Sequence, residues 1–250
     1  MQWTFVKSLL RRKPQATSAK RQAWRLRQFG QFKFVLRCAS IQETERDIIM
    51  LIKEAKKITD SLTRTSKMPG KSYSLPAWAC QTGAKLRKVP TSPCFGCYAL
   101  KGNYTRYPAI KAAQYRRLDS IEHPQWVEAM ALQIQRQVWF RWHDAGDLQN
   151  VDHLRKIFEV CRRTPNTRHW LPTQERQYIL AVNPEEVPDN LIIRLSGAKV
   201  DGAAPKAWAH TSTVVTDGKP TCPSGTQGGK CLDCRACWNK DISNISYGKH

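Results

Sequence analysis

Hydrophobic spacing changes along the chain, and each change marks an element. From about Ile41 onward, Ile48, Ile49, Ile52, Ala55, Ile58 and Leu62 recur at three- and four-residue steps. That is the repeat of one helical face and predicts an amphipathic helix of about 20 residues. Residues 64–72 (RTSKMPGKS) interrupt it with turn-forming residues. Tyr73–Trp78 predicts a short strand, and a cysteine-bearing loop runs on to Tyr104. Pro108 suits the first turn of a helix, where its missing N–H costs nothing; that helix is expected to reach Asp119. A second helix is expected from Pro124 to Arg136, then a buried strand, Val138–Trp142, and the polar loop His143-Asp144-Ala145-Gly146-Asp147. Asn150 is placed to cap the next helix, whose apolar stripe is Val151, Leu154, Ile157, Phe158 and Cys161. Thr167–Pro172 predicts a strand and Gln174–Val182 a short helix. Leu191–Leu195 predicts a strand ended by Ser196-Gly197, and Ala207–Val215 the last strand.

Strands and helices therefore alternate from residue 73 to 215. Parallel strands need crossovers and helices supply them, so the pattern predicts an α/β fold with a parallel sheet. Five or so units make a partial (β/α) barrel, since a closed eight-unit barrel takes about 250 residues. The expected organisation is a basic N-terminal extension and helix over 1–65, an α/β partial-barrel core over 66–216, and a cysteine-rich, metal-binding tail over 217–250.

Charge adds a partner to this picture. The net charge is +21, and residues 1–42 hold ten of the bases and no acid, leaving 31 bases against 20 acids elsewhere. A nucleic acid or nucleotide is the expected partner, because neutralising phosphates releases counterions; a solvated basic surface is the alternative. The Arg-rich, acid-free start resembles an organellar transit peptide. A basic arm, or a stretch added by an upstream start codon, fits it equally. No stretch reaches the ~18 apolar residues that cross a bilayer, so no membrane contact is expected. There is no secretory cleavage pattern, so a cytoplasmic home is expected. Nothing in the pattern selects an oligomeric state.

The nine cysteines are Cys38, Cys80, Cys94, Cys97, Cys161, Cys222, Cys231, Cys234 and Cys237. In a reducing compartment, grouped cysteines read as metal ligands more often than disulfides. Cys222, Cys231, Cys234 and Cys237 have the spacing C-x8-C-x2-C-x2-C. Two-residue gaps let thiolates converge, and the Gly-rich stretch before Cys231 lets the backbone wrap closely. Four thiolates serve tetrahedral zinc or a four-iron cluster. Consecutive two-residue steps plus a remote Cys222-Pro223 are the elements of a ferredoxin-type run, although in ferredoxins the Cys-Pro follows it. Cys80, Cys94 and Cys97 have the spacing C-x13-C-x2-C. Three thiolates leave one iron of a [4Fe–4S] cluster open, or leave zinc's fourth position to water or to a histidine such as His143. Cys161 reads as a small hydrophobe on a helix face. Cys38 is a remote candidate to complete the three-cysteine set.

In parallel α/β folds, ligands bind outside the carboxyl ends of strands. His143, Gly146 and Asp147 follow one strand, Thr173-Gln174-Glu175 another, and Arg194-Leu195-Ser196-Gly197 a third. His210, Thr211 and Ser212 fall inside the last strand. The structural alternative for Asp147 is a polar turn before a helix. His123, His153 and His169 share no metal-ligand spacing and read as surface or core residues.

The motifs SKMPGKSYSLPAWAC, CFGCYALKGNY, RWHDAGDL and CLDCRACW together resemble the phage and mobile-element proteins called the gene product 88 family, over residues 66–247. That resemblance implies a context and no particular chemistry. The chain is also similar, more distantly, to radical S-adenosylmethionine enzymes. These have a partial barrel, a three-cysteine cluster loop after the first strand, and a glycine-plus-acid motif after the second. Their usual first gap is three residues, whereas here it is thirteen. This second resemblance implies a catalytic cluster on Cys80, Cys94 and Cys97, with S-adenosylmethionine held at Asp147, Gly146 and Ser196. It implies an auxiliary cluster on the tail, making two [4Fe–4S] clusters, and an electron donor as a further partner. Two readings stand beside it: a zinc-stapled nucleic-acid-binding module without catalysis, and a zinc-dependent enzyme modifying nucleic acid.

Overall fold

The computed structural model describes residues 51–249. Cys38, the basic extension and the front of the first helix lie outside those residues. Residues 51–59 are helical (α1). A short antiparallel pair follows, β1 (Thr63–Arg64) with β2 (Lys71–Tyr73). The expected strand Tyr73–Trp78 therefore starts and stops earlier. Pro76 has no N–H to give a ladder, Leu75 N–H donates instead to Ala145 O, and Ala77–Ala79 turns as a 3-10 helix.

The cysteine loop carries two short helices, α2 (Gln81–Leu86) and α3 (Asn103–Arg106). Then come α4 (Pro108–Ser120) and α5 (Trp126–Ile134), with Pro at the first turn of α4 as expected. β3 (Trp139–Trp142) leads to α6 (Val151–Arg163), which Asn150 caps by accepting from His153 N–H. β4 (Arg168–Thr173), the short α7 (Arg176–Ile179) and β5 (Leu191–Val200) follow. β5 runs through Ser196-Gly197, past the expected end, with a register shift between Ser196 and Val200. β6 is Thr211–Val215, and a further strand, β7 (Asn244–Gly248), lies in the cysteine tail. Asn, Ser and Gly dilute the strand signal of β7, which explains why its sequence does not stand out.

The sheet has seven strands in the order β1-β2-β3-β4-β5-β6-β7, and from β2 to β7 every neighbouring pair is parallel. Strand order never reverses, and the sheet is open, with β1 and β7 at its edges. Helices bridge β2 to β3, β3 to β4 and β4 to β5, whereas irregular segments bridge the last two pairs.

Alternation along each strand separates two faces. Tyr73, Phe140, Trp142, Leu171, Leu191 and Ile193 pack on α5 and α6 through Trp126, Met130, Ile134, Leu154, Ile157 and Phe158. Cys161 is buried in this core, as its helix-face position predicted. The other face carries Trp139, Trp170, Ile245 and Tyr247, and the cysteine tail covers it with Cys237 and Trp238. The tail is thus part of the sheet's packing. Among the described residues no helix is long and apolar enough to cross a membrane.

Candidate functional site

Parallel strands deliver their C-terminal ends to one rim, and the three-cysteine loop leaves from the first of them, β2. We call this rim the mouth. Gly83 opens the space between two of its thiols: a Cβ there would lie 3.7 Å from Cys80 Sγ and 4.0 Å from Cys94 Sγ. Ala77, Ala99 and Ala145 form an apolar floor against Cys80 and Cys97. Burial pushes the Cys80 thiol up, and the Asp147 carboxylate and the neighbouring Cys97 and Cys94 push it the same way. Cys94 is pushed up to about 11, by burial first and then by Cys97 and Asp147.

Asp147 sits at the end of β3 and ties it to β4. One carboxylate oxygen accepts from Thr173 Oγ1 at 2.6 Å and Leu148 N–H at 2.8 Å, and the other accepts from Gln174 N–H at 2.8 Å. Burial outweighs these bonds and pushes its carboxyl up to about 7. Gly146, at φ +78°, allows the loop to cross β2's end: a Cβ would lie 2.6 Å from Leu75 Cβ and 2.7 Å from Leu75 O. Glu175 is fully buried and fastens the loop, accepting from Thr82 N–H at 2.8 Å and Thr82 Oγ1 at 2.6 Å.

His143 does not join this group. Its backbone is left-handed (φ 55°), its ring lies 5.3 Å from the His153 ring on α6, and both its ring nitrogens are buried without a partner. Burial holds it down at about 3. Ser196 lies along β5, its hydroxyl 3.1 Å from Ser212 Oγ on β6.

At the tail, Cys222, Cys231, Cys234 and Cys237 line one recess with Ala236, Trp238 and Ile245. Backbone bonds set three of them in place: Cys222 N–H to Ser246 O at 3.0 Å, Cys231 N–H to Lys67 O at 2.8 Å and Cys234 N–H to Cys231 O at 2.9 Å. Gly228 and Gly229, at φ 61° and 75°, make the turn before Cys231. Burial pushes Cys237 up to about 11, while the Tyr247 hydroxyl and the Arg141 and Arg194 guanidiniums pull it down. Arg194 is fully buried on this face. It donates to five carbonyls, those of Cys237, Thr211, Ile242, Ala236 and Asn239, at 2.9–3.4 Å. Arg235 lies over the Trp139 ring at 5.6 Å and Arg141 over Trp170 at 4.6 Å. Among the described residues no group of three or more His, Cys, Asp or Glu converges on a single-ion position.

A family model described as Gene product 88 matches residues 49–240. The chain belongs to the phage gene product 88 family. No curated protein and no solved structure matches it. The matched span of this gene product 88 chain contains both cysteine sets and the strand-end loops.

Arg141 was not singled out from sequence, and Asp144 and Arg194 were read only as members of polar strand-end runs. Asp144 is buried, accepting from Ser72 Oγ at 2.6 Å and Tyr104 hydroxyl at 2.9 Å. Arg141 and Arg194 stand on the tail face. The alternation Trp139-Phe140-Arg141-Trp142 was the available signal for Arg141, since it puts the arginine opposite Phe140 and Trp142.

Proposed function

We propose that this chain is an iron–sulfur protein of radical S-adenosylmethionine type acting on a nucleotide or nucleic acid. One four-iron cluster would be held by Cys80, Cys94 and Cys97, and a second by Cys222, Cys231, Cys234 and Cys237. The observation that carries the reading is the place of the three-thiol loop. It follows the first parallel strand, Cys80 and Cys94 flank Gly83, and both feel the charges of Cys97 and of Asp147 in the loop after the next strand. A singly ordered parallel sheet with helices on one face supports a partial barrel, whose strand ends form the working rim.

Three thiolates leave one iron free, and with S-adenosylmethionine such a cluster supplies reductive cleavage of a sulfonium and a carbon radical that takes hydrogen from substrate. The chain's own residues bind and orient. Asp147 offers a carboxylate that titrates near neutral pH, to which a ligand ammonium would be the natural counter-charge. Ser196 and Ser212 present paired hydroxyls suited to a ribose. An external electron donor completes the set of partners.

The tail thiols share a recess without converging on one ion position. Zinc needs its sulfurs about 2.3 Å from a single point, whereas a four-iron cluster carries each thiolate on a different iron and spreads them wider. The choice of iron rests on the ferredoxin-like spacing of Cys222, Cys231, Cys234 and Cys237.

Purification without oxygen, with iron, sulfide and zinc measured per chain, tests the reading. About eight irons with acid-labile sulfide are expected for two four-iron clusters, together with S-adenosylmethionine cleavage under reduction. A colourless protein with about two zincs and no sulfide overturns it and leaves a zinc-stapled binding domain.

A further inference from the structure

No Asp or Glu occurs between Asp60 and Asp119, a span that holds eleven Lys or Arg. In the fold this span is the mouth loop and its surroundings, and it displays large aromatic rings. Trp78 is 36 % exposed, Phe95 50 %, Tyr98 52 % and Tyr107 49 %. Exposed bases stand among them: Lys111 Nζ lies 5.0 Å from the Trp78 ring centre, and Lys101 Nζ lies 3.9 Å from where a Cβ on Gly96, next to Phe95, would be. Lys85, Lys88 and Arg106 are exposed on the same loop. Among the described residues none of these bases pairs with a carboxylate.

We infer that the face around the three-thiol loop is a docking surface for single-stranded nucleic acid. Exposed rings accept bases by stacking, which is open to unpaired bases and closed to bases inside a duplex. Lysines between the rings meet the phosphates and release counterions. The surface is made of the mouth loop with its short helices α2 and α3 and the first turn of α4, which carries Lys111; the exposed rings, which a paired base cannot reach, decide for a single strand. A strand lying on Phe95 and Trp78 passes over Cys80, Cys94 and Cys97. That last point rests on the proposed function; the binding itself does not.

The test uses the full-length protein and fluorescein-labelled 12-nucleotide DNA and RNA single strands, with a matching DNA duplex, followed by anisotropy over a salt series. Single strands bind more tightly than duplex, and affinity falls with salt. Phe95→Ala and Trp78→Ala each weaken binding about tenfold, the scale of one lost stack, and leave the salt slope unchanged. Lys101→Glu and Lys111→Glu weaken it and flatten the slope. Arg136→Glu, an exposed base just ahead of β3 at the opposite end of the strands, costs less than any of these. Thermal melts of each variant check folding. A preference between DNA and RNA with the same dependence on the rings supports the proposal and identifies the sugar. If the ring variants bind like the parent and Arg136→Glu costs as much as Lys101→Glu, whole-chain charge explains the binding and the proposal fails. If polyglutamate binds with the same dependence on Phe95, an acidic protein is the partner and the proposal also fails. Strand binding by a chain without iron overturns only the earlier reading. A chain with iron that does not bind strands overturns only this one.

Discussion

At the mouth, burial, the Asp147 carboxylate and neighbouring thiols bear on Cys80 and Cys94, with Glu175 beyond. At the tail, burial and neighbouring thiols push Cys231 and Cys237 the same way, but Cys237 also faces Arg141 and Arg194, and Cys231 faces Arg235 and Arg141. The contrast says what each place can hold. Four thiolates outweigh a divalent ion, or a four-iron core of the same charge, and nearby guanidiniums offset the surplus in a medium of low dielectric. Three thiolates beside carboxylates gain from a cationic ligand, and a molecule with sulfonium and ammonium groups supplies two positive charges. Under the proposed function, the tail would hold a closed, anionic centre and the mouth an open one that recruits a cation.

The sharpest way to break this comparison is to remove Arg194. Replacing it with Met orphans five buried carbonyls, and a loss of about 3 kcal/mol or more is expected, read as a lower urea midpoint. Hydrogen-exchange protection should fall over residues 236–246 and persist over 80–100. Arg194→Lys should not restore it, because one ammonium cannot reach five carbonyls in the guanidinium's plane. Equal loss at both sites would mean that the tail and the mouth are one cooperative unit.

A smaller effect comes from pH. Asp147 titrates at about 7 in the fold against 3.8 for a free carboxyl, so between these values the folded state binds more protons and stability falls as pH rises. His143 and His169, held down at about 3, and His153, held well below its usual range, act the other way: stability is lost as pH falls below 6.5. The histidines outnumber the aspartate, so net destabilisation is expected on acidification. Asp147→Asn should steepen it by up to about 1.4 kcal/mol per pH unit between pH 4 and 6.5. Urea midpoints from pH 5 to 7 check this, and an unchanged slope would remove Asp147 from the mouth's electrostatics. The smallest effect is expected from Arg141→Met. Taking a cation from beside the tail should lower the reduction potential of a centre bound there by on the order of tens of mV, measured by redox titration, and shift the mouth's potential as well, since Arg141 also faces Tyr98 and Asp144.

The sequence carried most of the helices and the parallel order. Asn150's cap, Pro108's first turn and the stripe Leu154-Ile157-Phe158-Cys161 are local signals, and local signals survive into the fold. What escaped depends on partners far along the chain. β7 is a strand because β6 offers it an edge, from Thr211–Asn244 through Val215–Gly248. Arg194 reads as a charge inside an apolar strand until Ala236, Asn239 and Ile242 bring their carbonyls to it. For the same reason, the two spacings C-x13-C-x2-C and C-x8-C-x2-C-x2-C were legible as sets, while the opposite charges around them were not.

The placing of β7 after the cysteines has a consequence for how the protein is made. β6 precedes β7 in the chain, and residues 216–243 must fold onto the sheet between them. Until they do, β6 is an open edge, ready to pair with a strand from another chain. Any group that gathers the four tail thiols shortens the path from β6 to β7 and closes that edge sooner. The supply of that group would then govern how much newly made chain reaches the finished sheet.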